Sequence, residues 1–543
     1  MAWISTILFL MLAVAVSAPL ARLVRLPLPL VQIALGAVIA ISVIPTVDLK
    51  PSIFFLLFLP PLLFLDGWRI PKDDLFRDGA VILELALGLV VFTVVGVGLL
   101  IHWLIPAMPL AVAFALAAVL SPTDPIAVSA IASRTKIPKR LMHILEGESL
   151  LNDASGLVCM RFAVAAAVTG AFSLQHAVGS FLWVAFGGLA IGVGVTWSIT
   201  TAKNWVAAKL GEDTSVQILV SLLIPFGAYM LAEHFHCSGI LAAVAAGVTM
   251  SFTEQSGQAL AITRVRRAAV WDTIQFTLNG VIFVLLGEQM PSIMARAAET
   301  VRVTGHHEPW WLIVYVLAIT AALAALRFVW AWFSLKWNIA RALRRGQPPP
   351  PVSWRLIAAT SVAGVRGAIT LAGVLTLPFA LADGTPFPAR NLAIFLAAGV
   401  IIVSLVLASI ALPRLLKNLE LPPEPSHQSD IDNARVEAAQ AAITAIEQAQ
   451  HDMAGGRADA DLYTDASARI MELYRQRIDS RRQEPEALEL HRQSELIERQ
   501  LRLAGLRAER DAIFRLARAR RLDDVSARKL VREIDLLEAR YAV

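Results

Sequence analysis

The sequence predicts an all-α integral membrane protein that ends in a helical tail, and two observations support this prediction. Residues 1 to about 418 repeat apolar stretches of about 20 residues, the length at which a helix crosses a bilayer. From about residue 420 onward the chain is instead rich in Arg, Glu, Asp, Gln and Ala. We therefore expect a transmembrane domain over 1–418 and a helical tail over 419–543.

Thirteen apolar segments can each form a transmembrane helix. They lie near 2–20, 27–45, 51–67, 80–105, 109–133, 141–170, 178–205, 214–233, 238–252, 271–290, 310–338, 355–380 and 391–417. The first segment is similar to a signal peptide, but it lacks a basic leading region and many segments follow it. We therefore interpret it as the first transmembrane helix.

The distribution of basic residues predicts the orientation. Lysine and arginine concentrate in the loops after odd-numbered segments, whereas the loops after even-numbered segments carry only Lys50, Arg296, Arg302 and Arg390. Because basic loops stay in the cytoplasm, we expect the N-terminus outside and the tail inside. That outcome needs an odd number of crossings.

Composition excludes several other classes of function. The isoelectric point is near 9.3, but the basic residues lie mostly in short loops, so the charge does not indicate nucleic-acid binding. The two cysteines, Cys159 and Cys237, lie in or beside apolar segments and predict no disulfide framework. No metal-ligand spacing, phosphate loop or nucleophile motif stands out, so we predict no cofactor.

Two of the apolar segments are interrupted in their middle. Ser121-Pro122-Thr123-Asp124-Pro125 breaks the fifth segment, and the glycines of GVRGAIT at 364–370 break the twelfth. Proline removes backbone donors and disrupts the helical ladder. The two segments are seven apart and so cross the membrane in opposite directions. This is typical of inverted repeats whose broken helices meet at an ion site near the midplane.

Acidic side chains beside the first break are candidates for that ion site. Asp153 and Ser149 are four residues apart, so they share one face of the sixth helix and offer hard oxygen ligands. A carboxylate in a bilayer can be neutralised by a proton or by a cation, but not by both, which is the simplest physical basis for exchange. The alternative is that Asp153 is a buried structural acid with a fixed partner.

Four further residues are candidates for the site, and three of them have two possible roles each. Asn152 is either a ligand or a brace for the site. Thr123 and Asp124 lie at the break, where Asp124 either contacts the ion or caps a half-helix. Asp66, at the end of the third segment, is either a second acidic ligand or an interface residue.

Charged residues inside the membrane need partners, because an unpaired charge there is costly. Glu148 and Arg327 lie in the sixth and eleventh segments, and we predict that they form a structural ion pair. Arg366, in the twelfth segment, could compensate half-helix ends or repel cations from a wrong route. Glu84 and Arg161 are also intramembrane, and the sequence suggests no partner for either.

The motifs resemble those of the monovalent cation:proton antiporter family, which includes bacterial sodium/proton antiporters and the sodium/proton exchangers. The matching runs are FLPPLLFLDGW (58–68), SPTDPIAV (121–128), EGESLLNDASGLV (146–158), SGILAAVAAG (238–247), GVRGAITLAG (364–373) and, in the tail, 505–539. The resemblance implies a thirteen-helix fold, a homodimer and an elevator-like motion. It also implies ion binding at Asp153, Asn152, Ser149, Thr123 and Asp66, and a Glu148–Arg327 pair.

The expected function is antiport of Na⁺ or Li⁺ against H⁺ by alternating access in the cell inner membrane. One titrating carboxylate favours electroneutral exchange. K⁺/H⁺ exchange is the nearest alternative, because sequence alone does not fix cavity dimensions. A remote alternative is a prenyl-phosphate-transferring enzyme that binds Mg²⁺ at Asp73, Asp74 and Asp78. A third alternative is a sensor that signals through the tail. The sequence does not identify a binding partner of the tail.

Overall fold

The computed structural model separates the chain into two compact units, Met1–Glu420 and Leu421–Val543. The described residues are 2–41, 51–70, 72, 79–124, 128, 139–169, 174–254, 260–303, 310–344, 354–381, 384–417, 428–454, 460–481 and 485–542. Within these ranges the chain is almost entirely helical, and its β-structure is limited to one isolated bridge between Ala380 and Pro386.

The first unit is a bundle of helices, and each of the thirteen predicted segments holds at least one of them. The helices are α1 (Ala2–Val24), α2 (Leu28–Ile41), α3 (Pro51–Arg69), α4 (Gly79–Leu104), α5 (Leu110–Leu120), α6 (Lys139–Thr169), α7 (Leu174–Leu210), α8 (Thr214–His234), α9 (Gly239–Glu254), α10 (Ala261–Val303), α11 (Trp311–Arg344), α12 (Trp354–Val362), α13 (Ala368–Leu375) and α14 (Arg390–Leu416).

Eight helices among the described residues are long and apolar enough to cross a membrane, namely α1, α4, α6, α7, α8, α10, α11 and α14. The shorter apolar helices α2, α5 and α9 pack among them. The outer surface of the bundle is apolar. On α7, for example, Trp183, Trp197 and Trp205 are each more than half exposed. Lipid is the solvent that such a surface requires. The prediction of an all-α membrane protein is therefore confirmed.

Glycine allows α3, which holds Asp66, to pack closely against α9. A methyl group on Gly67 would collide with the Val244 carbonyl, and one on Gly247 would collide with the Phe64 carbonyl. Small residues let helix backbones approach in this way inside a membrane, where contacts between helices replace the hydrophobic effect. This packing explains why the ninth segment is short and rich in Gly and Ala.

Polar contacts join one end of α3 to its neighbours. The Trp68 indole donates to the Glu254 carboxylate at the end of α9 (2.6 Å), and Arg267 of α10 forms an ion pair with the same carboxylate. Trp271 stacks on Phe64, with ring centroids 5.3 Å apart. These contacts fix the end of α3 just beyond Asp66.

The described residues of the second unit form four further helices. They are α15 (Gln428–Ala454), α16 (Ala460–Arg481), α17 (Pro485–Arg518) and α18 (Asp524–Ala542). The last two pack as a hairpin around Ile513, Ala527 and Ile534. Of three apolar residues spaced three or four apart in α18, Ile534 is buried, whereas Leu530 and Leu537 are exposed.

Candidate functional site

Two interrupted segments lie against each other in the first unit. The helix α5 ends at Leu120, and α12 and α13 are separated by the non-helical stretch 363–367. The Asp124 amide donates to the Val365 carbonyl at 2.7 Å, so the two breaks share a backbone hydrogen bond. A side chain on Gly367 would overlap the Asp124 carboxylate, so the close approach requires glycine there.

Charged side chains complement the helix ends at this contact. The Arg366 guanidinium donates to the Leu120 carbonyl through Nε (2.9 Å) and also to the Gly364 carbonyl. The carboxyl end of a helix is partly negative, so a guanidinium stabilises it. The Asp124 carboxylate lies beside Gly367, the residue that precedes α13, where a helix end is partly positive. Arg366 therefore lies where charge compensation of the half-helices was predicted.

A small cavity opens beside the contact, with a volume of about 20 Å³. That is room for about one water-sized guest. The cavity is lined by Leu62, Asp66, Pro122, Thr123, Asp124, Ser149, Asp153, Asn279, Gly367, Ala368, Ile369 and Thr370. The structure thus brings Asp66, Asp124 and Asp153 together with the hydroxyl groups of Thr123 and Ser149. Asp153 is 3% exposed, so its carboxylate is almost wholly removed from solvent.

Asn152 contacts one residue that lines the cavity, Thr123, and one that does not, Glu148. Its amide nitrogen donates to Thr123 Oγ1 at 3.1 Å and to Glu148 Oε1 at 3.4 Å. Asn152 does not belong to the cavity lining. Its Nδ2 makes the bracing contacts, while its buried Oδ1 has no hydrogen-bond partner among the described residues. Asn152 links the ion-pair cluster to Thr123, one of the lining residues.

Glu148 and Arg327 form a buried two-pronged ion pair. Arg327 Nη2 donates to Glu148 Oε2 at 2.6 Å, and Arg327 Nη1 donates to the other carboxylate oxygen. Arg327 Nε donates to the Thr360 carbonyl of α12 at 2.9 Å. Both side chains are at most 5% exposed. The pair therefore ties α6, which holds Asp153, to α11 and α12.

Sequence reasoning missed several contacts of this region. Asn279 of α10 and Thr370 of α13 line the cavity, and the sequence signal for both was a polar residue inside an apolar segment. Arg161, to which the sequence assigned no partner, forms an ion pair with Glu233 of α8 at 2.7 Å. Glu84, the other intramembrane charge without a predicted partner, is the first residue of a π-helical turn in α4.

Comparison with known proteins identifies the family. The family model "Sodium/hydrogen exchanger, transmembrane" matches residues 8–418. The chain is 41% identical to "Uncharacterized Na(+)/H(+) exchanger YjcE" of Escherichia coli (strain K12), over 98% of both chains. It is 38% identical to "Sodium, potassium, lithium and rubidium/H(+) antiporter" of Bacillus pumilus (strain SAFR-032), over 95% of this chain and 74% of the relative.

A solved structure shares the fold. The sodium proton antiporter MjNhaP1 from Methanocaldococcus jannaschii aligns with a TM-score of 0.60 and 17% identity, covering 77% of this chain and 99% of that one. At that identity the likeness concerns the fold alone. With the family match across most of the first unit, the chain belongs to the sodium/hydrogen exchanger family, whose members are secondary cation/proton antiporters and not enzymes.

Proposed function

We propose that this protein exchanges Na⁺ or Li⁺ for H⁺ at Asp153. The observation that supports it most is a small cavity lined by three carboxylates, those of Asp66, Asp124 and Asp153. Several acidic groups in a dry site repel one another and lose their hydration, so they need a positive guest. A proton or a small dehydrated cation can serve, and the volume admits about one.

The exchange follows from that competition. A cation held by Asp153 and the Ser149 hydroxyl leaves when the carboxylate takes a proton, and the reverse step reloads the cation. The residue next to Asp153 is Asn152, which does not titrate, whereas an aspartate there would add a second titrating group. In this proposal only Asp153 alternates between one proton and one monovalent cation, while Asp66 and Asp124 keep the same protonation state, so the cycle is one-for-one and electroneutral. The Glu148–Arg327 pair then has a structural role, because its charges already neutralise each other.

K⁺ is a second candidate cation. Two relatives, 38% and 43% identical to this chain, are named sodium, potassium, lithium and rubidium/H⁺ antiporters. Alkali cations differ in size and dehydration cost, and a site with several oxygen types can accept more than one of them. We therefore extend the proposal to exchange of K⁺ alongside Na⁺ and Li⁺.

Proton flux in proteoliposomes tests both proposals. Purified protein is reconstituted with an internal pH dye, the membrane potential is clamped, and Na⁺, Li⁺, K⁺ and choline are compared. We expect alkalinisation with the alkali cations and none with choline. The Asp153→Asn variant should lose the flux while keeping its size-exclusion profile. Wild-type exchange by that variant would remove Asp153 from the mechanism.

The remaining proposals concern topology and assembly. We propose thirteen crossings with the N-terminus outside and the tail in the cytoplasm, in the bacterial inner membrane, as a homodimer that works by an elevator-like motion. Basic-loop asymmetry supports the orientation. The prenyl-phosphate enzyme alternative is wrong, because the chain belongs to a family of transporters. Asp73, Asp74 and Asp78, on which it depended, lie outside the described residues.

A further inference from the structure

Threonine hydroxyls inside the helices of this protein usually bond to the backbone of the preceding turn. Thr249 donates to the Ala245 carbonyl and Thr320 to the Val316 carbonyl, each at 2.7 Å. Thr370 of α13 differs, because its Oγ1 has no hydrogen-bond partner among the described residues. The same holds for Thr196 of α7, but Thr370 lines the cavity and Thr196 does not. The side chain of Thr370 is nevertheless 1% exposed. A buried hydroxyl with no partner is unfavourable unless something else satisfies it.

The interrupted helix explains this difference. Thr370 is the third residue of α13, which begins at Ala368. The residues three and four positions earlier, Gly367 and Arg366, precede the helix, and Gly367 has an extended backbone (φ −133°, ψ −148°). The preceding helical turn, whose carbonyls usually receive such a hydroxyl, is therefore missing. The break leaves the oxygen of Thr370 available to a guest in the cavity, which this residue lines.

The chemistry of that oxygen suits an alkali cation. A hydroxyl is a neutral, hard ligand of the kind that small cations accept together with carboxylates. In the cavity, Thr370 comes from α13, whereas Ser149 and Asp153 come from α6. A ligand from α13 would add an oxygen from a second helix, and a neutral one would do so without further charge repulsion.

We propose that Thr370 Oγ1 is a ligand of the transported alkali cation and sets its affinity, an inference that rests on the proposed function. The hydroxyl contributes to cation binding in the loaded state. It contributes nothing to the protonated state, in which Asp153 is already neutral. Its removal therefore weakens cation binding without removing the carboxylate that exchanges.

Three substitutions separate a ligand role from a packing role. Thr370→Val removes the hydroxyl and nearly preserves the shape, whereas Thr370→Ser keeps the hydroxyl and removes a methyl group. In proteoliposomes we expect Thr370→Val to raise the KM for Na⁺ about tenfold, the effect of one lost hydrogen bond to a charged group, with the maximal rate kept. Thr370→Ser and the control Thr320→Val should keep the wild-type KM.

Packing alone would give the reverse order, with Thr370→Ser impaired and Thr370→Val normal, and that result would overturn the proposal. If the valine variant fails to fold, Thr370→Ala also removes the hydroxyl and must show the raised KM. Thermal stabilisation by Na⁺ tests binding separately from transport. Wild-type protein that is stabilised by Na⁺ but transports nothing would refute the proposed function, while the loss of stabilisation in Thr370→Val would still support the ligand role.

Discussion

The buried ion pair makes a quantitative prediction for Glu148→Gln. In the wild type, Glu148 accepts two hydrogen bonds from Arg327, one from Asn152 and one from Thr123. Glutamine keeps the shape of glutamate and one acceptor oxygen. Its amide nitrogen is a donor, however, and would face the second guanidinium nitrogen, which is also a donor. Arg327 is then left with its charge buried and one N–H group facing another donor. We therefore expect the variant to be substantially less stable.

The magnitude follows from the burial of both partners. Removing one charge of a buried pair costs about 3–5 kcal/mol. Because glutamine retains one of the two acceptors, we expect the lower end, about 3 kcal/mol, or roughly a hundredfold in the unfolding equilibrium constant. The exposed Arg69–Asp272 pair, with Arg69 at the end of α3, is the control, since Asp272→Asn should cost less than about 1 kcal/mol.

A double-mutant cycle in detergent micelles measures the effect. Glu148→Gln, Arg327→Gln and the double variant are compared by SDS titration and thermal unfolding. The double variant should be more stable than the sum of the two single losses implies, by about 2 kcal/mol of coupling. Purely additive losses would refute the pairing argument. A Glu148→Gln protein of normal stability with altered cation selectivity would show that Glu148 belongs to the ion site instead.

Three further predictions concern the helix contact and the tail. Gly367→Ala should sharply reduce the yield of monodisperse protein, because the added methyl group would overlap Asp124. The control Gly194→Ala, where the methyl group would enter open space on α7, should keep the wild-type yield. Equal yields of the two variants would contradict this prediction. Asp523 caps α18, and hydrogen bonds, first from Ser526, lower its pKa. The stabilising effect of Asp523 is therefore present above its ordinary pKa of about 4 and is lost as pH falls through the lowered value. Asp523→Ala should speed amide hydrogen exchange in α18 at pH 7, and Asp523→Asn should speed it less. Deletion of 421–543 should leave proteoliposome exchange intact, and its loss would favour the tail-output alternative.

Local spacing was enough to predict much of the site. The four-residue interval placed Ser149 and Asp153 on one face of α6, and both line the cavity. The cost of buried charge led to the pairing of Glu148 with Arg327, across 179 residues of sequence. In each case a short-range rule or a strong energetic requirement left few alternatives.

Such rules could not predict long-range contacts between uncharged polar residues. Asn279 and Thr370 each stand in an apolar segment, and only the three-dimensional packing of α10 and α13 shows that they share a cavity with Asp153. The partner of Arg161 is similarly hidden, because Glu233 lies at the end of α8, where a charge has many possible explanations. The energy difference between alternative pairings is too small to be read from sequence.

The π-helical turn at Glu84–Leu89 determines how the two halves of α4 are rotated about their axis. Such a turn contains one residue more than the regular helix, and each residue turns an α-helix by about 100°. Ile82, before the turn, packs against Gly147 of α6, while Gly88 and Phe92 meet Trp330 of α11. The Ser155 hydroxyl bonds to the Ala86 carbonyl within the turn (2.6 Å). Deleting one residue there would leave a regular α-helical turn and rotate one half of α4 by about 100° relative to the other, so the number of residues in this turn matters more than their identity.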